Sequence, residues 1–130
     1  MGYHILIVDD SATSRTFVRK NLQVSGVSLG EIHQAKNGAE AEAILKEKPV
    51  DWMFLDINMP VMSGVELVER LQKSGLIGAV KVVVISSEGS FLRVQQLERM
   101  GITRFLRKPF TPESFSTLMT ELTGGQKNAS

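Results

Sequence analysis

Val50-Asp51-Trp52-Met53-Phe54-Leu55-Asp56-Ile57-Asn58-Met59-Pro60 is the stretch on which the fold turns. An apolar run ends on a single carboxylate, Asp56, and passes at once into a turn sequence. A run of this length bounded by turn signals reads as a buried strand. Asp56 then sits at the carboxyl end of that strand, where an open α/β sheet places its ligand crevice.

The stretches on either side support the same reading. Ile5-Leu6-Ile7-Val8 is a continuous aliphatic run, the pattern of a central parallel strand buried on both faces, and it ends on Asp9-Asp10. Lys81-Val82-Val83-Val84-Ile85 is a further strand, ending on Ser86-Ser87-Glu88-Gly89. Arg104 to Arg107 is a short last strand, ending on Lys108-Pro109. Glu31 to Ala35 is a weaker candidate, placed near a sheet edge, after a stretch 25–30 that reads as loop by composition.

Helical patterns alternate with these strands. Ser11 to Leu22 carries Phe17, Val18 and Leu22 at the spacing of one face. Asn37-Gly38 reads as a turn. Ala39 to Lys48 is rich in good helix formers and is closed by Pro49. Val65 to Lys73 carries Val65, Leu67, Val68 and Leu71, and Gly75 and Gly78 break it. Phe91 to Met100 is stopped by Gly101. Pro112 to Leu122 has Thr111 as its N-cap and proline at its first position. Five strands alternating with five helices imply a parallel sheet covered on both faces, with right-handed crossovers.

Bulk properties narrow the function. The chain has 130 residues, a size that suits one domain. Its net charge of +1 offers no global attraction for nucleic acid, and without cysteine there is no disulfide and no thiolate metal site. Four apolar residues precede Asp9, too few for a signal peptide or a membrane span, which makes a cytoplasmic protein the default expectation.

Four strands thus end on polar residues: Asp9-Asp10, Asp56, Ser86 and Lys108. A parallel sheet points all these ends one way, so they can gather in one crevice. Clustered carboxylates repel, and a hard divalent cation such as magnesium, which prefers a few carboxylates, a carbonyl and waters, removes that repulsion. Asp56 is then a candidate nucleophile for phosphorus, with Lys108 as a fixed positive partner and Ser86 as a hydrogen-bond donor to a phosphoryl oxygen. Each residue also has an ordinary reading. Asp9, Asp10 or Ser11 can cap a helix, Asp56 can form a turn, Ser86 can be a loop residue and Lys108 a solvated charge. The coincidence of four strand ends favours the joint reading.

Placed in order, Ile7-Val8-Asp9-Asp10-Ser11, Leu55 to Pro60 with Met62-Ser63-Gly64, Ile85-Ser86-Ser87 and Lys108-Pro109-Phe110 resemble the motifs of response-regulator receiver domains of two-component signalling. The likeness is closest to the single-domain chemotaxis members. It spans about Tyr3 to Leu122, which implies a receiver domain over residues 1–124 and a polar tail over 125–130. It implies a flavodoxin-like sheet of order 2-1-3-4-5. It implies phosphorylation of Asp56 by a histidine kinase, a phosphotransfer protein or a small phosphodonor. Magnesium would be held by Asp10 and Asp56 directly, by Asp9 through water and by the Asn58 backbone carbonyl. Ser86 and Lys108 would bind the phosphoryl group, and the Lys108-Pro109 bond would be cis. Phe105 would be the aromatic switch coupled to Ser86. Asn58 and Glu88 would set a short lifetime for the phosphorylated state. A downstream protein would dock on the face of helix 4, strand 5 and helix 5, without nucleic-acid binding or membrane insertion. Arg93, Arg99, Arg104 and Arg107 make that face basic, which suits an acidic partner segment.

Two other classes remain open. A magnesium-dependent phosphatase with an aspartate nucleophile commonly has a second aspartate two residues on, where this chain has Asn58. The other class is the receiver fragment of a longer DNA-binding regulator. A nucleotide-binding module is disfavoured, because no glycine-rich phosphate loop follows the first strand.

Overall fold

The computed structural model describes residues 2–57, 59, 63–87 and 89–123. Strands β1 (Tyr3–Val8), β2 (Leu29–Ala35), β3 (Trp52–Asp56), β4 (Lys81–Ser86) and β5 (Arg104–Arg107) alternate with helices α1 (Ala12–Val24), α2 (Gly38–Glu47), α3 (Gly64–Ser74), α4 (Phe91–Arg99) and α5 (Pro112–Leu122). All strands are parallel, in the order β2-β1-β3-β4-β5. This is the doubly wound, flavodoxin-like arrangement expected from the alternation and the resemblance.

The central strands are apolar along their middles because both of their faces are covered there. Successive side chains of a strand point to opposite sides. Leu6, Val8, Met53, Leu55, Val82 and Val84 therefore pack into one core with Leu67, Val68 and Leu71 of α3 and Leu97 of α4. Ile5, Ile7, Trp52, Phe54, Val83 and Ile85 pack into the other with Val18 and Leu22 of α1 and Phe115 and Met119 of α5.

The helix starts follow the sequence chemistry. The side chains of Ser11, Asn37, Ser63 and Thr111 accept the backbone N–H groups of Ser14, Glu40, Glu66 and Ser114, each satisfying a donor that the first helical turn leaves unpaired. Thr111 and Pro112 stand at the cap and first position of α5, as expected. Gly75 ends α3 at φ 81°, a left-handed conformation that glycine adopts without steric cost.

The structure corrects several local expectations. Strand β2 begins at Leu29, not Glu31, because Leu29 pairs with Tyr3 and the Tyr3 N–H reaches the Ser28 carbonyl at 3.0 Å. Composition read that segment as loop, and tertiary pairing overrode it. Asn37-Gly38 is the cap and first residue of α2, not a separate turn. A short 3-10 turn, Leu76–Ala79, occupies the segment where the glycines were expected only to break α3. On α1 the inward face is Val18, Asn21 and Leu22, whereas Phe17 is 46% exposed and rests against Phe110 at 5.2 Å. Among the described residues no helix is long and apolar enough to cross a membrane.

Candidate functional site

Strand register sets the site before any side chain is considered. Val8 pairs with Leu55, Asp56 with Ile85 and Ser86 with Arg107. The residues that follow or end these strands are therefore level. Asp9, Asp56, Ser86 and Lys108 share one rim of the sheet. The Lys108 N–H donates to the Ser86 carbonyl at 2.8 Å and the Ile57 N–H to the Ile85 carbonyl at 3.2 Å, which ties the three right-hand strands together at that rim.

Asp9, Asp10 and Asp56 each bring a carboxylate oxygen to within 4.8 Å of the others. Asp9 and Asp56 are buried and Asp10 is exposed. Asp9 Oδ1 accepts the Ser11 N–H at 2.9 Å, while Oδ2 is buried and accepts no hydrogen bond among the described residues. The nearest cation to that oxygen is the Lys108 ammonium at 3.6 Å, from a side chain that remains 32% exposed. A buried acceptor without a donor is costly, and so are three carboxylates at this spacing. The donor set is hard, anionic and partly open to solvent, so these residues could hold a divalent cation.

The strand alternation divides the remaining polar residues. Ser86 follows Val82 and Val84 to the α4 side of the sheet. Phe105, half-buried, packs against the same core and pairs in register with Val84. The hydroxyl and the ring thus lie on one face of the sheet. Beyond Ser86 the chain is pinned by Ser90. Its hydroxyl donates to the Ser87 carbonyl at 2.5 Å and its Oγ accepts the Ser87 N–H at 3.1 Å.

The backbone of α3 comes close to the Asp56 strand at Gly64. A Cβ on Gly64 would lie 3.2 Å from Ile57 Cα and 3.4 Å from the Asp56 carbonyl oxygen. The Lys108-Pro109 peptide bond is cis, as the resemblance implied. Asn58 and Glu88 lie outside the described residues.

Sequence reasoning missed Arg15. From α1 its Nη1 donates to the Asp9 carbonyl at 2.6 Å, and its Nε donates to Gln34 Oε1, at the end of β2, at 3.0 Å. One guanidinium thereby fastens the acidic corner to the edge strand. Nothing in the sequence separates Arg15 from Arg19, because only the rotation of α1 about its axis decides which arginine faces the rim.

The model of the response regulator receiver domain matches residues 5–120. The chain belongs to that family. It is 28% identical over 121 residues to a chemotaxis protein CheY homolog of Campylobacter jejuni, covering 92% of each chain. It is 31% identical over 115 residues to the two-component response regulator ORR3 of Oryza sativa, covering 88% of this chain and 86% of the relative. Among solved structures, it resembles the chemotaxis protein CheY4 of Vibrio cholerae with a TM-score of 0.78 and 32% identity, over 97% of this chain and 100% of the other. The protein is a CheY-like receiver domain of two-component response regulators.

Proposed function

We propose that this receiver accepts a phosphoryl group on Asp56 and returns it to water, switching its affinity for a downstream protein. The observation that carries the reading is the three-carboxylate corner, in which Asp9 Oδ2 accepts no hydrogen bond among the described residues and faces the Lys108 ammonium at 3.6 Å. An Asp56 carboxylate oxygen attacks phosphorus as the P–N bond of a donor phosphohistidine breaks. The imidazole leaves with the bonding pair and takes up a proton. Lys108 balances charge on the phosphoryl oxygens, and the Ser86 hydroxyl donates a hydrogen bond to one of them. Hydrolysis of the acyl phosphate by water restores the carboxylate and releases inorganic phosphate, a step in which Asn58 and Glu88 orient the water. Asp9, Asp10 and Asp56, with the Asn58 carbonyl, would hold magnesium, which supplies positive charge against the carboxylates and the transferring group.

Ser86 and Phe105 share a face, which supports a switch in which the hydroxyl moves toward the new phosphoryl group and the ring follows. Such a charge event biases a two-state element, and a coupling of roughly 1–3 kcal/mol suffices for a several-fold change in partner affinity. The phosphodonor is a histidine kinase or a phosphotransfer protein. The output face comprises α4, β5 and α5. The receiver turns over no separate substrate.

The test is labelling by radioactive acetyl phosphate, with and without magnesium, on the parent and on Asp56→Asn. Label should enter the parent only with magnesium and should fall to background in the variant. Equal labelling of Asp56→Asn overturns the assignment of the acceptor.

A further inference from the structure

Asp9 stands just beyond β1, and most of its polar atoms are held. Its N–H donates to the Ala35 carbonyl of β2 at 3.0 Å, its Oδ1 accepts the Ser11 N–H at 2.9 Å, and its carbonyl accepts Arg15 Nη1 at 2.6 Å. The remaining atom, Oδ2, is buried and accepts no hydrogen bond among the described residues.

The Asp9 carbonyl matters beyond its own residue. It belongs to the peptide that joins Asp9 to Asp10, two members of the three-carboxylate corner. That peptide is planar, so a donor that fixes its carbonyl also fixes the backbone from which both side chains project. Arg15 is such a donor, and it is itself tethered. Its Nε donates to Gln34 Oε1 at 3.0 Å, and Gln34 pairs with Ile7 in the β1–β2 register. One planar, always-charged fork thereby joins the Asp9–Asp10 peptide to the edge strand. The reach follows from helix geometry. Arg15 lies in the first part of α1, and helical side chains lean toward the N-terminus, which here is the rim.

We infer that Arg15 is a positioning residue for cation binding: by holding the Asp9–Asp10 peptide against β2, it sets the geometry in which the carboxylates of the corner take up a divalent cation. The inference rests on the reading of the corner as the magnesium site and adds a residue that acts through Asp9. Groups that orient metal ligands change affinity by about 10–100-fold when removed, because a loosened ligand must be ordered again on binding. The sign of the effect separates positioning from charge. Arg15 is cationic, so deleting its charge beside a cation site would, taken alone, tighten binding. Lost positioning weakens it.

The experiment measures magnesium binding to the unphosphorylated 130-residue chain by calorimetry at fixed ionic strength, with the Asp10 amide resonance of the metal-free protein as a second readout. Arg15→Ala should weaken binding by about tenfold. Arg15→Lys keeps the charge but replaces the two-point planar fork by a single ammonium, and it should weaken binding by about threefold. Gln34→Ala frees the far side of the fork and should act in the same direction by a similar factor. Arg19→Ala removes an exposed charge from the same helix and should leave the affinity within about twofold. The Asp10 amide nitrogen, bonded to the Asp9 carbonyl carbon, should shift in both Arg15 variants and stay in place in Arg19→Ala. Tighter binding by Arg15→Ala reduces Arg15 to a charge effect and overturns the inference, as does an Arg15→Lys protein that binds like the parent. So does a lowered unfolding temperature with unchanged magnesium affinity, which marks a tie of the fold alone. A parent that binds no magnesium overturns the cation site and this inference together, whereas a parent that binds it with variants that match overturns this inference only.

Discussion

The two ends of the sheet use the same residue types to opposite effect, and β3 and its preceding residue show it in miniature. Asp51, just before the strand, is exposed but fully engaged. Its carboxylate accepts the His4 N–H at 2.7 Å, its N–H donates to the His4 carbonyl at 2.8 Å, and its carbonyl accepts the Lys81 N–H at 2.9 Å. Beside it Tyr3 stacks on Trp52 at 4.3 Å, and His4 Nδ1 accepts the Glu31 N–H at 3.2 Å where the β1–β2 register shifts. Asp56, at the other end, is buried in a corner with two further carboxylates. At the amino end the Asp51 carboxylate and backbone are spent on joining strands. The carboxyl end concentrates like charges and leaves a buried acceptor without a donor. Such frustration is tolerated in folded proteins chiefly where a ligand relieves it. The contrast therefore separates residues that hold the fold from residues that serve its chemistry.

The largest effect that would sharpen this contrast is at Trp52. Trp52→Ala should cost about 3–5 kcal/mol in denaturant unfolding, the usual loss for a buried tryptophan, while the folded fraction is still labelled at Asp56. Loss of labelling in step with an intact fold would break the division between the two ends. Next comes Asp10→Asn, which lowers the repulsion without touching the Lys108–Asp9 pair. In metal-free buffer it should raise stability by on the order of 1 kcal/mol, and it should shrink the gain in unfolding temperature on adding magnesium. A variant that is less stable without metal, or that responds to magnesium like the parent, contradicts the reading of the corner as a strained cation site. Asp51→Ala, at the amino end, should have the opposite sign, a loss of about 1 kcal/mol in the same assay with no change in the magnesium response.

The smallest effect lies away from both ends. Glu42 of α2 and Arg70 of α3 form a two-pronged ion pair with a closest contact of 2.8 Å. The hydrogen bond from Arg70 holds the Glu42 carboxyl below its usual range, and the same bond raises Arg70. A carboxyl lowered on folding contributes stability that is present above its unfolded pKa and is lost as pH falls through its folded value. Glu42→Gln should therefore flatten the acid side of the stability profile, at and below the ordinary carboxylate range, and leave neutral-pH labelling untouched. An unchanged acid limb would show that this pair carries no linkage.

Much of this was legible in the residue order. The three apolar runs of β1, β3 and β4 announce buried strands, β5 is a short strand flanked by arginines, and the polar residue at the end of each announces the rim. Capping by Thr111 and the apolar spacing of α3 were equally plain. Local pattern failed where a neighbour in space made the decision. Leu29 is a strand residue because Tyr3 lies beside it, and Gly30 continues the strand, where the β1–β2 register shifts, although composition favours a loop. Phe17, expected on the inward face, is 46% exposed because the phase of α1, set by packing against α5, turns Asn21 inward instead. Arg15 reached the acidic corner for the same reason.

By itself, the residue order determined the alternation of elements, the parallel sheet and the chemical types available at its rim. These depend on periodicity and turn chemistry, which act over a few neighbouring residues. Only the tertiary structure decided that Asp9 faces Lys108 and that Arg15 rather than Arg19 clasps the corner. Those outcomes depend on strand register and helix rotation, which are settled by contacts between segments far apart in the chain.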